Sequence, residues 1–418
     1  MAKVRDDDSY RWYLLVLAGL TSTLVVAMPS MAMPVLFAEI SQELELTLVQ
    51  IGVIWGMGSL AGLFTALLGG MAGDRLGTKL TLSIGCVLIG VTGLMRGLAT
   101  DFASLSLTVF LGGFLGSTVP MQVHKTCGVW FTGRHLGLAN GVVAMGMALG
   151  FMSGSMVSAT VLSPWLGGWR HVFFFYGAIA ILMAIPWTLV REGPAAGKAA
   201  AAAASKVPIR QALAQVVRLK NVWMMGIIMT GVSGCIQGVL GYLPLYLRAI
   251  GWDAVSADGA LATFHATSLV SVIPLALLSD RLGSRKTILM GAALMMTAGV
   301  SLLAGGGGSL VWLAVILAGC VRDGFMAVYM SMMMEFDGVG ATYAGTAIGL
   351  SSSLSRIGAM VAPALGNSLA ASSPAMPFAL WAGMAATSFV GFIFIREGSA
   401  RGVHAEALAV PADSCPEY

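Results

Sequence analysis

Four side chains able to carry charge or exchange a proton stand inside long apolar stretches: His265 in LATFHATSLVSV, Arg322 and Asp323 in LAGCVRDGFMAV, and Arg356 in LSSSLSRIGAMVA. In lipid, an Arg or Asp at a helix centre costs about 2.5–3.5 kcal/mol, so each is expected to face a wet cavity, a partner or a ligand. Two guanidinium groups against one carboxylate leave a surplus of one positive charge. The planar fork of Arg takes a carboxylate bidentately, so the predicted chemistry is recognition of a small organic anion. Consecutive helical residues point about 100° apart, and Arg322 and Asp323 are therefore expected to face different surroundings, one the cavity and the other a neighbouring helix. Met326 and Tyr329 follow on the Arg322 face. Asp323 is the expected proton-coupling group, with a structural tie to Arg322 or Arg356 as its alternative. His265 is the second proton candidate, with a hydrogen-bonded neutral ring as its alternative. Protonating Asp323 would raise the positive surplus, so proton and anion would bind together, the sign of symport. Substrate contacts are expected from Arg322, Arg356, Tyr329, Gln237 and Tyr242, although packing accounts equally well for Gln237 and Tyr242. Met28, Met31, Met33, Met326 and Met330 would supply adaptable apolar walls.

Composition defines the frame that must hold these groups. With 57% apolar against 10% charged residues and a mean hydropathy of +0.86, the solvent for most of the chain is lipid. A bilayer core about 30 Å thick takes about 20 apolar residues of helix. Stretches of that kind occur at 12–38, 47–69, 80–99, 102–123, 137–164, 171–190, 221–247, 256–279, 287–304, 309–334, 342–368 and 374–395. Their length and continuity exclude a β-barrel, which would read as alternating segments of about ten residues. The first stretch is too long for a signal-peptide core and lacks a small-residue cleavage pattern, so it is expected to be retained. Cys86, Cys127, Cys235, Cys320 and Cys415 have no metal-ligand spacing, and no metal, disulfide or cofactor is expected. Of the 23 Lys and Arg, only Arg96, Arg170 and Arg248 fall at the face opposite the termini, and only Arg322 and Arg356 within spans. Positive loops stay on the cytoplasmic side, so both termini are expected there, in a multi-pass protein of the cell (inner) membrane.

The longest polar interruption, 191–220, carries GPAAGKAAAAAASK and divides the spans six and six. The expected organisation is an N-tail at 1–11, a six-helix bundle at 12–190, the linker, a second bundle at 221–396 and a C-tail at 397–418. A repeat supports the division. Asp74-Arg75-Leu76-Gly77-Thr78-Lys79 after the second span is echoed by Asp280-Arg281-Leu282-Gly283-Ser284-Arg285 after the eighth. Repeated halves with a site between them are a common plan of secondary transporters.

The doubled D-R-x-G-x-[RK] turn resembles the signature loop of the major facilitator superfamily, over essentially residues 10–396. The resemblance implies an all-α membrane fold of twelve helices in two pseudo-symmetric six-helix bundles. Spans 1, 4, 7 and 10 would line a central cavity, with 3, 6, 9 and 12 outside. The glycines permit a tight turn, and Asp74, Arg75, Asp280 and Arg281 are the expected cytoplasmic gate. Trp130-Phe131 to Gly141, entering span 5, is similar to the entry found in monocarboxylate, oxalate–formate and nitrate or cyanate porters. Gly146, Gly150 and Gly154 follow it, a spacing for close helix approach. The antiporter proline of that span is absent, and span 4 lacks the embedded Arg common in drug and sugar branches, so coupling must be housed elsewhere. With no phosphate-binding G-x-x-x-x-G-K-[ST] loop and no H-E-x-x-H, the expected function is not enzymatic. It is proton-coupled secondary transport of a small monocarboxylate-like anion by alternating access. The partners are the substrate, protons and the lipid bilayer, with no nucleic acid, and the chain is expected to act as a monomer. Anion exchange, inorganic-anion transport, and a non-transporting sensor on this fold are the alternatives.

Overall fold

The computed structural model describes residues 2–131, 134–191, 209–305 and 308–395, without the side chains of 2–9, 66–76, 134, 209 and 341. Its regular structure is helical throughout. Twelve helices are long and apolar enough to cross a membrane: Tyr10–Glu43, Leu48–Thr65, Gly77–Gly97, Phe102–Trp130, His135–Leu166, Trp169–Leu189, Lys220–Ala249, Ala254–Leu282, Arg285–Gly305, Ser309–Met334, Thr342–Leu369 and Met376–Ile393. These are spans 1 to 12, and each coincides with one of the expected apolar stretches. The Ala-rich part of the linker lies outside the described residues, and a short helix, Ile209–Val216, leads from it to span 7.

Local sequence explains where the helices begin and end. Thr47 and Gln50 form a capping box that starts span 2, Asp101 and Ser104 do the same for span 4, and Asp253 caps span 8 through the Ser256 amide. Each satisfies amide groups that the first helical turn leaves unpaired. In the two copies of the repeated turn, Gly77 (φ 78°) and Gly283 (φ 67°) adopt the positive φ that stops one span and starts the next.

Lipid offers helices no hydrophobic reason to associate, so packing of small residues and interhelical hydrogen bonds must supply it. Bulky apolar side chains such as Leu189 and Val270 accordingly lie exposed on the outside of the bundles. Span 5 meets span 1 along Gly146, Gly150 and Gly154, where an added Cβ would come within 2.5–2.8 Å of Gly19, Ala27 and Met28. Thr23 seals that contact by donating to the Gly146 carbonyl at 2.8 Å. Both spans carry a π-helical turn, at Thr21–Ala27 and Ser158–Leu162, a local widening often found at functional sites.

Among the described residues, the two bundles meet at the face opposite the termini. There Trp55 Nε1 donates to the Gln237 carbonyl at 2.8 Å, Arg248 Nη1 to the Val35 carbonyl at 2.8 Å, and Asn367 Nδ2 to the Leu48 carbonyl at 2.8 Å. Span 2 also presses its Gly52 and Gly56 backbone directly against Met360, Pro363 and Ala364 of span 11.

Candidate functional site

Between the bundles lies a cavity of about 360 Å³. Span 1 contributes Val25, Ser30, Met31 and Met33, span 2 Trp55 and Ser59, and spans 7, 10 and 11 add Gln237, Arg322 and Arg356. Span 4 presents mostly glycine, at 112, 113 and 116. Because those positions have no side chains, groups standing behind span 4 reach the cavity over it. Spans 3 and 6, which the family resemblance puts outside, therefore supply Thr92, Arg96, Phe173 and Tyr176 to the wall.

Arg96 is the main correction to the sequence reading. Its place near the end of span 3 suggests a charge on the outer face, yet the side chain turns inward across Gly112, where an added Cβ would lie 2.7 Å from its Nη2. The guanidinium carbon sits 5.2 Å from the centroid of the Phe173 ring, and Nε is buried without a hydrogen-bond partner. The embedded Arg missing from span 4 is thus replaced, at the same cavity, by one that crosses a glycine.

Arg322 is built in a similar way, with its guanidinium carbon 5.4 Å from the Phe151 ring centroid. Its Nη1 lies 3.3 Å from His265 Nδ1 and 3.4 Å from Asp323 Oδ1. Since Arg can only donate, His265 Nδ1 must be the acceptor, which places the ring proton on Nε2. That nitrogen is buried and unpartnered. The long Arg322 side chain folds back to its neighbour, so the divergence of adjacent helical positions does not keep Arg322 and Asp323 apart. Arg322 lines the cavity, whereas Asp323 stands beside it against span 8, where its amide donates to Ser268 Oγ at 3.2 Å. Arg356 reaches across from span 11 to lie directly on Gly62 of span 2, leaving no room there for a Cβ. Neither Arg96 nor Arg356 has a hydrogen bond or ion pair to another described residue.

Two expected substrate contacts lie elsewhere. Tyr329 is buried and donates to Ser351 Oγ at 2.5 Å, and Tyr242 is buried in an aromatic cluster with Phe378 and Trp381 and donates to the Pro374 carbonyl at 3.1 Å. Met326 and Met330 are exposed and stand off the cavity wall, which Met31 and Met33 do line. Asp323 is not the one buried acid of the spans, although Asp258 stands near a span's end and not at mid-depth. Asp258 of span 8 is wholly buried and holds Arg248 Nη2 at 2.7 Å; its place close to the span's end had hidden it.

Of the expected gate, the side chains of Asp74 and Arg75 lie outside those described. In the second copy Asp280 Oδ1 accepts from Arg285 Nη1 at 2.5 Å, Glu335 at the end of span 10 holds Arg285 Nε at 3.3 Å, and Arg281 is exposed. That cluster ties spans 8, 9 and 10 to one another within a single bundle.

Twelve spans in two bundles around a charged cavity define a multi-pass membrane transporter. The Major Facilitator Superfamily profile matches residues 15–363, and the chain belongs to that family, whose members are transporters and not enzymes. It is 27% identical, over 79% of this chain and 80% of the relative, to the 3-(3-hydroxy-phenyl)propionate transporter of Escherichia coli (strain K12). It is 23% identical, over 85% of this chain and 87% of the relative, to the cis,cis-muconate transport protein of Acinetobacter baylyi. Among solved structures the nucleoside transporter NupG superposes with a TM-score of 0.78 at 15% identity, covering 91% of this chain and 99% of that one. At that identity the likeness concerns the fold alone.

Proposed function

We propose that the protein is a secondary transporter that moves a small organic anion, together with protons, through the central cavity by alternating access. The observation that carries this reading is the cavity wall, on which Arg96, Arg322 and Arg356 stand with no carboxylate among the lining residues. An uncompensated guanidinium in a low-dielectric setting is expensive, and an anionic substrate is its natural counter-ion. The two organic-acid transporters to which the chain is similar support the same class of cargo.

In this reading Arg322 and Arg356 bind the anion, Gln237 contacts its polar groups, and Asp323 carries the proton, with His265 fixing the Arg322 fork. Residues 12–190 and 221–396 act as the two moving bodies joined by the linker. The termini lie in the cytoplasm, so the state described is closed toward the outside, and the Asp280 cluster stiffens the cytoplasmic end of its bundle.

The test is uptake into proteoliposomes of a panel of labelled organic acids, with and without an inward proton gradient. Carboxylates should enter and the gradient should concentrate them. Transport of neutral or cationic solutes with no carboxylate uptake would overturn the reading.

A further inference from the structure

Arg96 and the pair formed by Arg322 and Arg356 belong to opposite bundles. Arg96 is seated by spans 3, 4 and 6, over Phe173 and Gly112. Arg322 rises from span 10 over Phe151 of span 5, and Arg356 from span 11 onto Gly62 of span 2, so these two reach out of their own bundle into the cavity. No described side chain that seats Arg96 also seats either of the others. We propose that the cavity has two anion-binding poles, one in each bundle, and that its preferred cargo is a dicarboxylate with a hydrocarbon spacer bridging them. This rests on the anion reading above and narrows it.

Charge supports two poles. Three guanidinium groups against the single carboxylate of Asp323, which lies 3.4 Å from Arg322, leave a surplus of two positive charges, and these fall one to each bundle. Construction supports it too, because Arg96 and Arg322 each lie over a Phe ring. A ring beside a guanidinium offers it a cation–π contact without using its N–H donors, although Arg322 Nη1 is already turned to His265 and Asp323. The same cavity is lined in part by apolar side chains, Val25, Met31, Val109 and Leu240 among them, which suit methylene or vinylene carbons. A monocarboxylate would satisfy one pole and leave the other guanidinium without a counter-ion. A cargo held by both bundles at once also couples binding to their relative position, as alternating access requires.

The test compares α,ω-dicarboxylates from succinate to suberate with monocarboxylates of equal carbon number, such as adipate against hexanoate. Binding is measured calorimetrically on the full chain in nanodiscs, at a pH where all are ionised. A second charge-assisted contact is worth about ten- to a hundred-fold in affinity, so the best diacid should exceed its monoacid by that factor. Arg96→Gln should cost the diacid more than the monoacid and narrow the gap between them to within about two-fold, and Arg96→Lys should fall between. Monomeric gel-filtration profiles for both variants would show that they fold. Equal binding of diacid and monoacid by the native chain, or equal losses of both in Arg96→Gln, would overturn the two-pole proposal and leave the anion reading standing. Failure of every carboxylate to bind the native chain would overturn both.

Discussion

Arg248 offers the sharpest test of how the closed face is held, because one guanidinium serves two partners. Its Nη2 pairs with Asp258 of its own bundle at 2.7 Å, and its Nη1 donates to the Val35 carbonyl of the other bundle at 2.8 Å. Asp258 is fully buried and the Arg248 side chain 18% exposed, so the pair is little weakened by solvent. Under the proposed alternating access, opening this face would break the bond to Val35, while the ion pair would travel with its bundle. Arg248→Lys separates the two roles, since a single ammonium keeps the carboxylate but cannot span both partners. A hydrogen bond involving a charged group is worth about 1.5–3 kcal/mol, which shifts the ratio of open to closed by about ten- to a hundred-fold. The assay is the reaction rate of Leu240→Cys, a cavity position, with an impermeant maleimide added at the face opposite the termini, in a background without other cysteines. The rate should rise about ten-fold or more in Arg248→Lys with little change in thermal stability. Asp258→Asn should instead strand a guanidinium and cost about 3–5 kcal/mol of stability. An unchanged labelling rate in Arg248→Lys would refute the idea that this contact holds the face closed.

Arg356→Gln should weaken organic-anion binding by about ten- to a hundred-fold without lowering the melting temperature, because no described residue depends on that guanidinium. Arg322→Gln should lose both binding and stability, since it strands Asp323 and His265, and equal melting losses in the two variants would contradict that distinction. Asp323→Asn, resembling the protonated form, should exchange substrate between equal compartments yet fail to accumulate it on an inward proton gradient; accumulation would move the coupling role to His265. Asp280→Ala, which loosens a cluster remote from the cavity, should slow turnover more than it weakens binding, and a fall in affinity at unchanged turnover would place that cluster in the binding step.

The twelve spans were legible in the sequence because lipid dictates both the length and the composition of whatever crosses it. Arg322 and Arg356 were legible for the same reason, as charges in the middle of apolar runs. Arg96 and Asp258 were not, since a charge near the end of a span reads the same whether it snorkels to a headgroup or turns inward. The feature that decides the matter for Arg96 is Gly112, sixteen residues away on the next span, and sequence alone gives no sign that the two face each other. Tyr329 shows a different limit. It does share a face with Arg322, but seven residues of helix carry it about 10 Å along the axis. At that level span 11 closes over it and Ser351 takes its hydroxyl. Periodicity therefore identifies which face of a span is turned inward, while the depth at which a cavity ends is set by the neighbouring helices. In this protein a run of glycines in span 4 extends the cavity sideways to spans 3 and 6, and brings the third guanidinium to the same chamber as the two in the other bundle.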